Sequence, residues 1–443
     1  MFLKRGISYL LIAILFNIVL FLHIFPDIPL LILAATGLVG YYFYYHICPL
    51  KYKPAKRRLR ILSGGYELML ASMVCSFIEF LIYGCIIISD QPVPLLILLI
   101  NGLMAWFLAF LLLFHGLVRI FFCSSQLGIM ARLALLLFWW VPGINLFLLR
   151  KFMTVSRTEY RFTENRKKVL AQRKEDMVCG TKYPILMVHG IFFRDWKSFN
   201  YWGRIPKELE DNGAVIYYSN HQSSASVEQC ANEIKQRILS IVQETGCQKV
   251  NIIAHSKGGL DSRYAISCLG MDQYAASLTT INTPHMGCNY VCRILDRIPQ
   301  KTVAAIGNKY DALYRKLGDD NPDFFSGLKD LTDRECSRLN KIMKNVPGVL
   351  YQSTGSRMVS HTSAMFPLSL GYCIIKFFGG GDNDGLVSIS SMEWGEFLGI
   401  ISSKSRQGIS HGDMIDLTRK NIEGFDVCEF YIDLVSQLKS KGL

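Results

Sequence analysis

Five long apolar runs fill most of the first 150 residues of this 443-residue chain. A helix needs about 20 apolar residues to cross the hydrocarbon core of a bilayer, and the first four runs read as spans on that criterion. The fifth run carries Trp-Trp-Val-Pro-Gly at its middle, so it could cross, kink or re-enter. The runs cover residues 7–25, 30–47, 68–88, 95–114 and 133–149. The sequence therefore predicts an all-α transmembrane region over residues 1–150, with four or five membrane segments.

The net charge of +13 is concentrated beside these apolar runs. Residues 1–150 contain 11 Lys/Arg against 4 Asp/Glu, and residues 151–176 contain 8 against 4. Such placement suits anionic lipid headgroups, and the chain has neither zinc-finger spacing nor an RNA-binding aromatic motif. We expect a membrane and no nucleic acid as partners, and we interpret residues 151–180 as a basic linker. Basic loops favour the cytoplasmic side, but a fifth crossing would put the rest of the chain outside, so its side stays open.

After the linker, short apolar strands alternate with amphipathic helices. This alternation is typical of a mostly parallel sheet covered by helices on both faces. The predicted strands are residues 185–188, 215–218, 250–254, 278–281 and 349–352, and the predicted helices are residues 226–243 and 260–269. We therefore expect an α/β domain over residues 181–443, with its active groups at the carboxyl ends of the strands.

The strongest motif in this domain is Ala254-His-Ser256-Lys257-Gly-Gly, where a predicted strand runs through a serine into a predicted helix. A nucleophilic serine on a tight strand-to-helix turn requires this context. Ala254 replaces the first Gly of G-x-S-x-G, which is a mild departure because alanine is also small. We predict that Ser256 is a catalytic nucleophile; the alternative is an ordinary serine at a Gly-rich helix start.

Two backbone N–H groups are candidates for stabilising a developing oxyanion. A strand ending in His189-Gly190-Ile191 would turn the N–H of Ile191 toward the substrate, and Lys257 would offer its own N–H at the start of the helix after Ser256. We interpret His189 as structural because it precedes the nucleophile.

An activated serine needs an imidazole to take its proton and a carboxylate to orient that imidazole. In this fold the chain order is nucleophile, acid, histidine, and His411 alone follows the Gly-rich acidic loop at residues 379–385. We therefore predict His411 as the base, over His285 and His361. Within the loop we favour Asp384 as the acid because it opens into an apolar run, and we interpret Asp382 as solvated or capping.

These residues resemble the bacterial triacylglycerol lipase family of the α/β-hydrolase fold. The resemblance covers about residues 181–435 and includes Tyr201-Trp202, Thr283-Pro-His-Met-Gly287 and Asn383-Asp384-Gly-Leu-Val387. It implies the same five positions: Ser256, Asp384 and His411 for catalysis, and Ile191 with Lys257 for the oxyanion. It also implies an acyl-ester substrate and no cofactor for the chemistry. The membrane region is a departure from the secreted family members and predicts a multi-pass protein of a bacterial cell membrane.

Two further features follow from the resemblance. Such lipases often bind a structural calcium, and Asp413 matches one of its ligands, but no Asp or Glu lies between Glu335 and Asp382 to supply another. Residues 288–325 stand where these lipases carry a lid. Within them Val291, Ile294, Leu295 and Ile298 recur at helical spacing, which favours core packing over contact with acyl chains.

The sequence thus predicts a membrane-anchored serine hydrolase that cleaves carboxylic, lipid-like acyl esters. The same residues could instead transfer the acyl group to an alcohol other than water. A membrane scaffold or transporter with an inactive hydrolase domain is the third alternative, and protein partners cannot be read from the sequence.

Overall fold

A computed structural model describes residues 2–25, 29–49, 56–88, 93–173, 177–191, 200–222, 224–316, 319, 321–403 and 407–443. The chain forms two compact units, Met1–Val169 and Leu170–Leu443. The boundary falls inside the predicted basic linker, most of which continues a helix that begins at Ile144.

The first unit is built from helices. They are α1 (Phe2–Phe16), α2 (Ile18–Ile24), α3 (Pro29–Ile47), α4 (Arg57–Ile88), α5 (Leu95–Cys123), α6 (Ile129–Phe138) and α7 (Ile144–Arg173). Among the described residues, α4 and α5 are each long and apolar enough to cross a membrane, and α1 with α2 would make a third span broken by a 62° bend. The fifth apolar run is not one helix, because α6 ends just before the Trp139-Trp140 pair and α7 begins after Gly143.

The second unit contains one six-stranded sheet with all neighbours parallel, in the order β2-β1-β3-β4-β5-β6. The strands are β1 (Ile185–Val188), β2 (Ile216–Tyr218), β3 (Val250–His255), β4 (Ala275–Ile281), β5 (Leu350–Ser356) and β6 (Glu396–Ile401). The five predicted strands are confirmed, and β6 is an addition that the sequence analysis missed. This topology is the expected α/β fold.

Helices cover both faces of the sheet. The helices of this unit are α8 (Ile205–Asp211), α9 (Val227–Thr245), α10 (Lys257–Cys268), α11 (Asn289–Leu295), α12 (Gln300–Lys316), α13 (Phe324–Lys329), α14 (Asp333–Ile342), α15 (Leu368–Phe377) and α16 (Val427–Ser440). Of these, α8 and α16 pack on one face of the sheet, and α9 and α10 pack on the other. The predicted helix at residues 226–243 corresponds to α9, which begins after a capping box formed by Ser226 and Gln229 and ends at Gly246 in the left-handed region. Such caps satisfy backbone groups that the helix leaves unpaired at its ends.

Alternation along the strands produces two separate cores. In β1, Ile185 and Met187 point to the face that packs on α8 and α16, whereas Leu186 and Val188 point to the face that packs on α9 and α10. Successive side chains of a strand lie on opposite faces, so an apolar strand such as Ile-Leu-Met-Val supplies both cores at once. The carboxyl ends of β1, β3 and β4 are thereby held at one edge of the sheet, where the candidate site lies.

Candidate active site

Ser256 occupies a strained turn between β3 and α10. Its φ of 55° and ψ of −131° lie in a region that non-glycine residues rarely adopt. The surrounding packing holds it there: its N–H donates to the carbonyl of Ile281 at 2.9 Å. The two glycines after Lys257 are required, because a Cβ at Gly258 would lie 2.3 Å from the carbonyl oxygen of His189. Backbone strain of this kind clusters at functional sites, which agrees with the role predicted for Ser256.

Asp384 and His411 form a buried hydrogen-bonded pair. The Nδ1 atom of His411 lies 2.6 Å from Oδ2 of Asp384, and the backbone N–H of His411 donates to the Asp384 carbonyl at 2.8 Å. The second carboxylate oxygen, Oδ1, accepts the N–H groups of Leu386 and Val387 at 2.9 and 2.7 Å. The carboxylate is therefore fixed by its own turn, and it holds the imidazole in the tautomer whose Nε2 is free to accept a proton.

The imidazole of His411 lies beside the turn that carries Ser256. Its ring centroid is 4.5 Å from that of His255, the residue immediately before the serine. His255 and His411 are thus in contact although they are more than 150 positions apart in the sequence.

The His189-Gly190-Ile191 segment packs directly against the serine turn. A Cβ at Gly190 would lie 2.8 Å from the Cβ of Ser256, so only glycine allows this approach. The N–H of Gly190 donates to the hydroxyl of Tyr201 at 3.0 Å, and that hydroxyl lies 2.7 Å from Nδ1 of His255. Ile191 lines a cavity together with Ser256. Tyr201 is a residue whose role the sequence analysis missed, although its Tyr-Trp motif was part of the resemblance.

The side chain of Lys257 is buried in the interior of the protein. Its Nζ lies 2.6 Å from Asp261 and 3.4 Å from the sulfur of Cys230. Burial lowers the pKa of Lys257, but the attraction of Asp261 outweighs burial and the pKa is raised above its usual value. The oxyanion role predicted for Lys257 concerns its backbone N–H, at the first residue of α10.

Cys230 and Asp261 belong, with His221, to the one group of three potential metal ligands that the described part of the chain contains. Because the Lys257 ammonium already lies against both Asp261 and Cys230, a metal cation at this point would meet a fixed positive charge. Burial also raises the pKa of the Cys230 thiol, and a metal binds the thiolate. These residues do not fit a metal site.

Asp413 has partners that do not suit calcium. Its Oδ2 accepts the N–H and the hydroxyl of Ser410 at 2.9 and 2.6 Å, and the nearby Asp416 is paired with Arg204 at 2.7 Å. Calcium takes six to eight oxygen ligands, whereas no group of three acidic, His or Cys side chains includes Asp413 in the described ranges. The described residues give Asp413 the role of a turn cap.

The residues considered as alternatives to Asp384 and His411 have other surroundings. Asp382 is half-exposed and pairs with Lys376 at 2.8 Å. His361 is exposed on a short helical turn. His285 is buried, with its Nε2 2.9 Å from the hydroxyl of Thr280 and its ring stacked on Trp394.

An apolar cavity of about 170 Å³ opens beside Ser256. Three residues of the predicted lid stretch, Val291, Ile294 and Leu295, line it from α11. The sequence favoured core packing for these three residues, but each of them also lines the cavity.

The six-stranded parallel sheet covered by helices on both faces gives the second unit the α/β-hydrolase fold. Residues 184–315 match the family described as "Putative serine esterase (DUF676)". The chain is also similar to triacylglycerol lipases. It is 29% identical over 193 residues to that of Pseudarthrobacter phenanthrenivorans, which covers 41% of this chain and 59% of the relative.

A second lipase, from Vibrio cholerae, is 29% identical over 286 residues, covering 59% of this chain and 89% of the relative. Among solved structures, a mature lipase of Bacillus licheniformis superposes with a TM-score of 0.44 at 18% identity, covering 58% of this chain and 92% of that one. The chain spans 59% and 52% of the first two curated relatives. The resemblance to the triacylglycerol lipases that the sequence predicts is confirmed.

Proposed function

We propose that the protein is a membrane-anchored serine hydrolase that cleaves carboxylic esters with lipid-like acyl groups. The observation that carries this proposal is the 2.6 Å contact between His411 and the buried Asp384 beside the strained turn of Ser256. A carboxylate that fixes one imidazole nitrogen leaves the other free to act as a general base. The lipase relatives support esters as the substrate class.

In the proposed mechanism, His411 takes the proton of the Ser256 hydroxyl while the serine oxygen attacks the ester carbonyl carbon. The resulting oxyanion accepts hydrogen bonds from the N–H groups of Ile191 and Lys257. His411 then gives its proton to the departing alcohol, which leaves an acyl-enzyme on Ser256. A water molecule, deprotonated by the same imidazole, releases the carboxylic acid and restores the serine.

The helices of the first unit support the membrane part of the proposal. Both α4 and α5 have the length and apolar composition of a membrane span. An enzyme held in this way would meet its substrate at the bilayer surface, in a bacterial cell membrane. Protease protection of intact cells would determine on which side the hydrolase unit lies.

Labelling with a fluorophosphonate probe, combined with hydrolysis of nitrophenyl esters, tests the catalytic part. We expect Ser256→Ala to abolish labelling and to reduce kcat by at least about 10³-fold, because the covalent intermediate cannot form. Ser240→Ala removes a hydroxyl from the outer side of α9 and should leave both measurements unchanged. Retained turnover in the Ser256 variant would contradict the assignment of the nucleophile, and no labelling of Ser256 in the unaltered protein would favour an inactive scaffold.

A further inference from the structure

The cavity beside Ser256 is walled by aliphatic side chains from several elements. Val291, Ile294 and Leu295 come from α11, and Leu328 comes from α13. Leu386, from the turn that holds Asp384, lines the cavity from another side. Binding of a hydrocarbon group against an apolar wall of this kind is favourable, whereas binding of a polar group without a hydrogen-bond partner is unfavourable.

Among the described residues that line the cavity, Tyr290 carries the one aromatic hydroxyl, and this hydroxyl is already hydrogen-bonded. Tyr290 donates its O–H to the carbonyl of Leu386 at 2.8 Å, so it presents the cavity with an aromatic ring and no unpaired donor. A substrate group in the cavity therefore needs no hydrogen-bonding atoms of its own. Because Ser256 is part of the lining, one of the two groups bonded to the attacked carbonyl carbon enters the cavity, and the apolar wall favours the hydrocarbon acyl chain over the ester oxygen and its alcohol.

From its size and its lining, we infer that this cavity holds the acyl chain of the ester and selects medium chains of about six carbons. The inference rests on the proposed function of Ser256. The cavity measures about 170 Å³, and an engineered apolar cavity of about 150 Å³ in another protein holds one benzene molecule, which has six carbons. Carbons beyond this number exceed the volume of the cavity, so we expect them to add little binding free energy there.

A series of nitrophenyl esters from acetate to palmitate, measured on the full-length protein in mixed micelles, tests the inference. Each buried methylene contributes about fourfold to kcat/KM. We therefore expect a steep rise from acetate to hexanoate and no further rise beyond octanoate.

Variants of the wall separate the cavity from other causes of selectivity. Leu295→Ala removes about three carbons' volume from the wall and should move the optimum to decanoate or longer. Val291→Phe fills the cavity and should reduce turnover of hexanoate at least tenfold more than turnover of acetate. The matched control is Leu313→Ala, the same change at an exposed position of α12, which should leave the profile unchanged.

The outcomes distinguish this inference from the proposed function. A profile that rises through dodecanoate, or one highest on acetate, would overturn the medium-chain assignment while leaving Ser256 as the nucleophile. An equal shift in the Leu295 and Leu313 variants would overturn the assignment of the cavity. Absence of turnover at every chain length, together with no labelling of Ser256, would remove the proposed function itself.

Discussion

The hydroxyl of Tyr201 connects the two segments between which a substrate carbonyl would lie. It accepts the N–H of Gly190 at 3.0 Å and lies 2.7 Å from Nδ1 of His255. Burial lowers the pKa of His255 well below its usual value, which favours the neutral form of the ring in this contact. Tyr201 thereby sets the spacing between the Gly190-Ile191 segment and the serine turn without touching the reacting atoms.

We expect Tyr201→Phe to lower kcat by about tenfold with little change in KM. The change leaves the buried N–H of Gly190 without this acceptor, which costs about 1–3 kcal/mol, and it frees the segment that carries the Ile191 N–H. Steady-state kinetics on a nitrophenyl ester measure the effect. Tyr372→Phe removes a hydroxyl that donates to Val359 at an exposed site and serves as the control; equal kcat values in both variants would contradict the positioning role.

The two acidic residues of the Gly-rich loop give a matched pair of substitutions. Asp384→Asn removes the charge that orients His411 and should reduce kcat by about 10⁴-fold, because the amide stabilises the wrong tautomer. Asp382→Asn weakens only surface contacts with Lys376 and Arg357, so kcat should stay within twofold. The measurement is single-turnover acylation of both variants, and a larger loss for Asp382 would reverse the assignment.

At the scale of elements, the start of α10 depends on close contact with its neighbours. The helix begins directly after Ser256, and its first turn lies against the end of β1. A Cβ at Gly258 would meet the His189 carbonyl at 2.3 Å and Val188 at 3.0 Å. The first of these obstacles is backbone, which cannot move aside as a side chain could.

Gly258→Ala should therefore destabilise the protein by about 1–3 kcal/mol or more, as overpacking does in other buried sites. The control is Gly307→Ala within α12, where a Cβ would meet nothing within 4 Å; helix propensity there predicts a gain of about 0.5–1 kcal/mol. Thermal unfolding of the detergent-solubilised chain, followed by circular dichroism, measures both changes. A neutral Gly258→Ala would show that the turn can relax.

Local patterns predicted most of the sheet and the position of the serine, because strand and helix periods are properties of neighbouring residues. The strand β6 was missed: the sequence Glu-Phe-Leu-Gly-Ile-Ile lies at the edge of the sheet and has a glycine with a positive φ at its middle. The hydrogen bonds of Tyr201 join positions 11 and 54 residues away, and no local pattern specifies such pairings. The cavity could not be predicted from the sequence either, because residues from α11, α13 and the Asp384 turn form it together.

At the scale of the whole molecule, the helical unit buries polar groups that need partners in an apolar environment. Asn17, at the bend between α1 and α2, donates to Glu79 at 2.7 Å, and Asn101 donates to the same carboxylate at 3.1 Å. Polar side chains are costly within a bilayer unless they are paired in this way. The arrangement is consistent with a helical unit that lies within lipid.

We expect the full-length protein to remain in the membrane pellet after treatment with alkaline carbonate and with high salt. Spans such as α4 and α5 would have to leave the hydrocarbon core for water, which costs far more than releasing charged surface contacts. Immunoblotting of pellet and supernatant fractions measures this, with detergent extraction as the positive control. Release by salt alone would indicate a protein attached to the membrane surface by its basic segments.

The helices α4 and α5 touch where Gly65 faces Gly116. A Cβ on Gly65 would lie 2.9 Å from the Gly116 carbonyl oxygen, and one on Gly116 would lie 2.7 Å from the Gly65 carbonyl oxygen. Because each obstacle is main chain, no rotamer change can accommodate even one added methyl group. The backbones of α4 and α5 are therefore in direct contact at these two glycines. A larger residue at either position would force the two helices to slide or to separate.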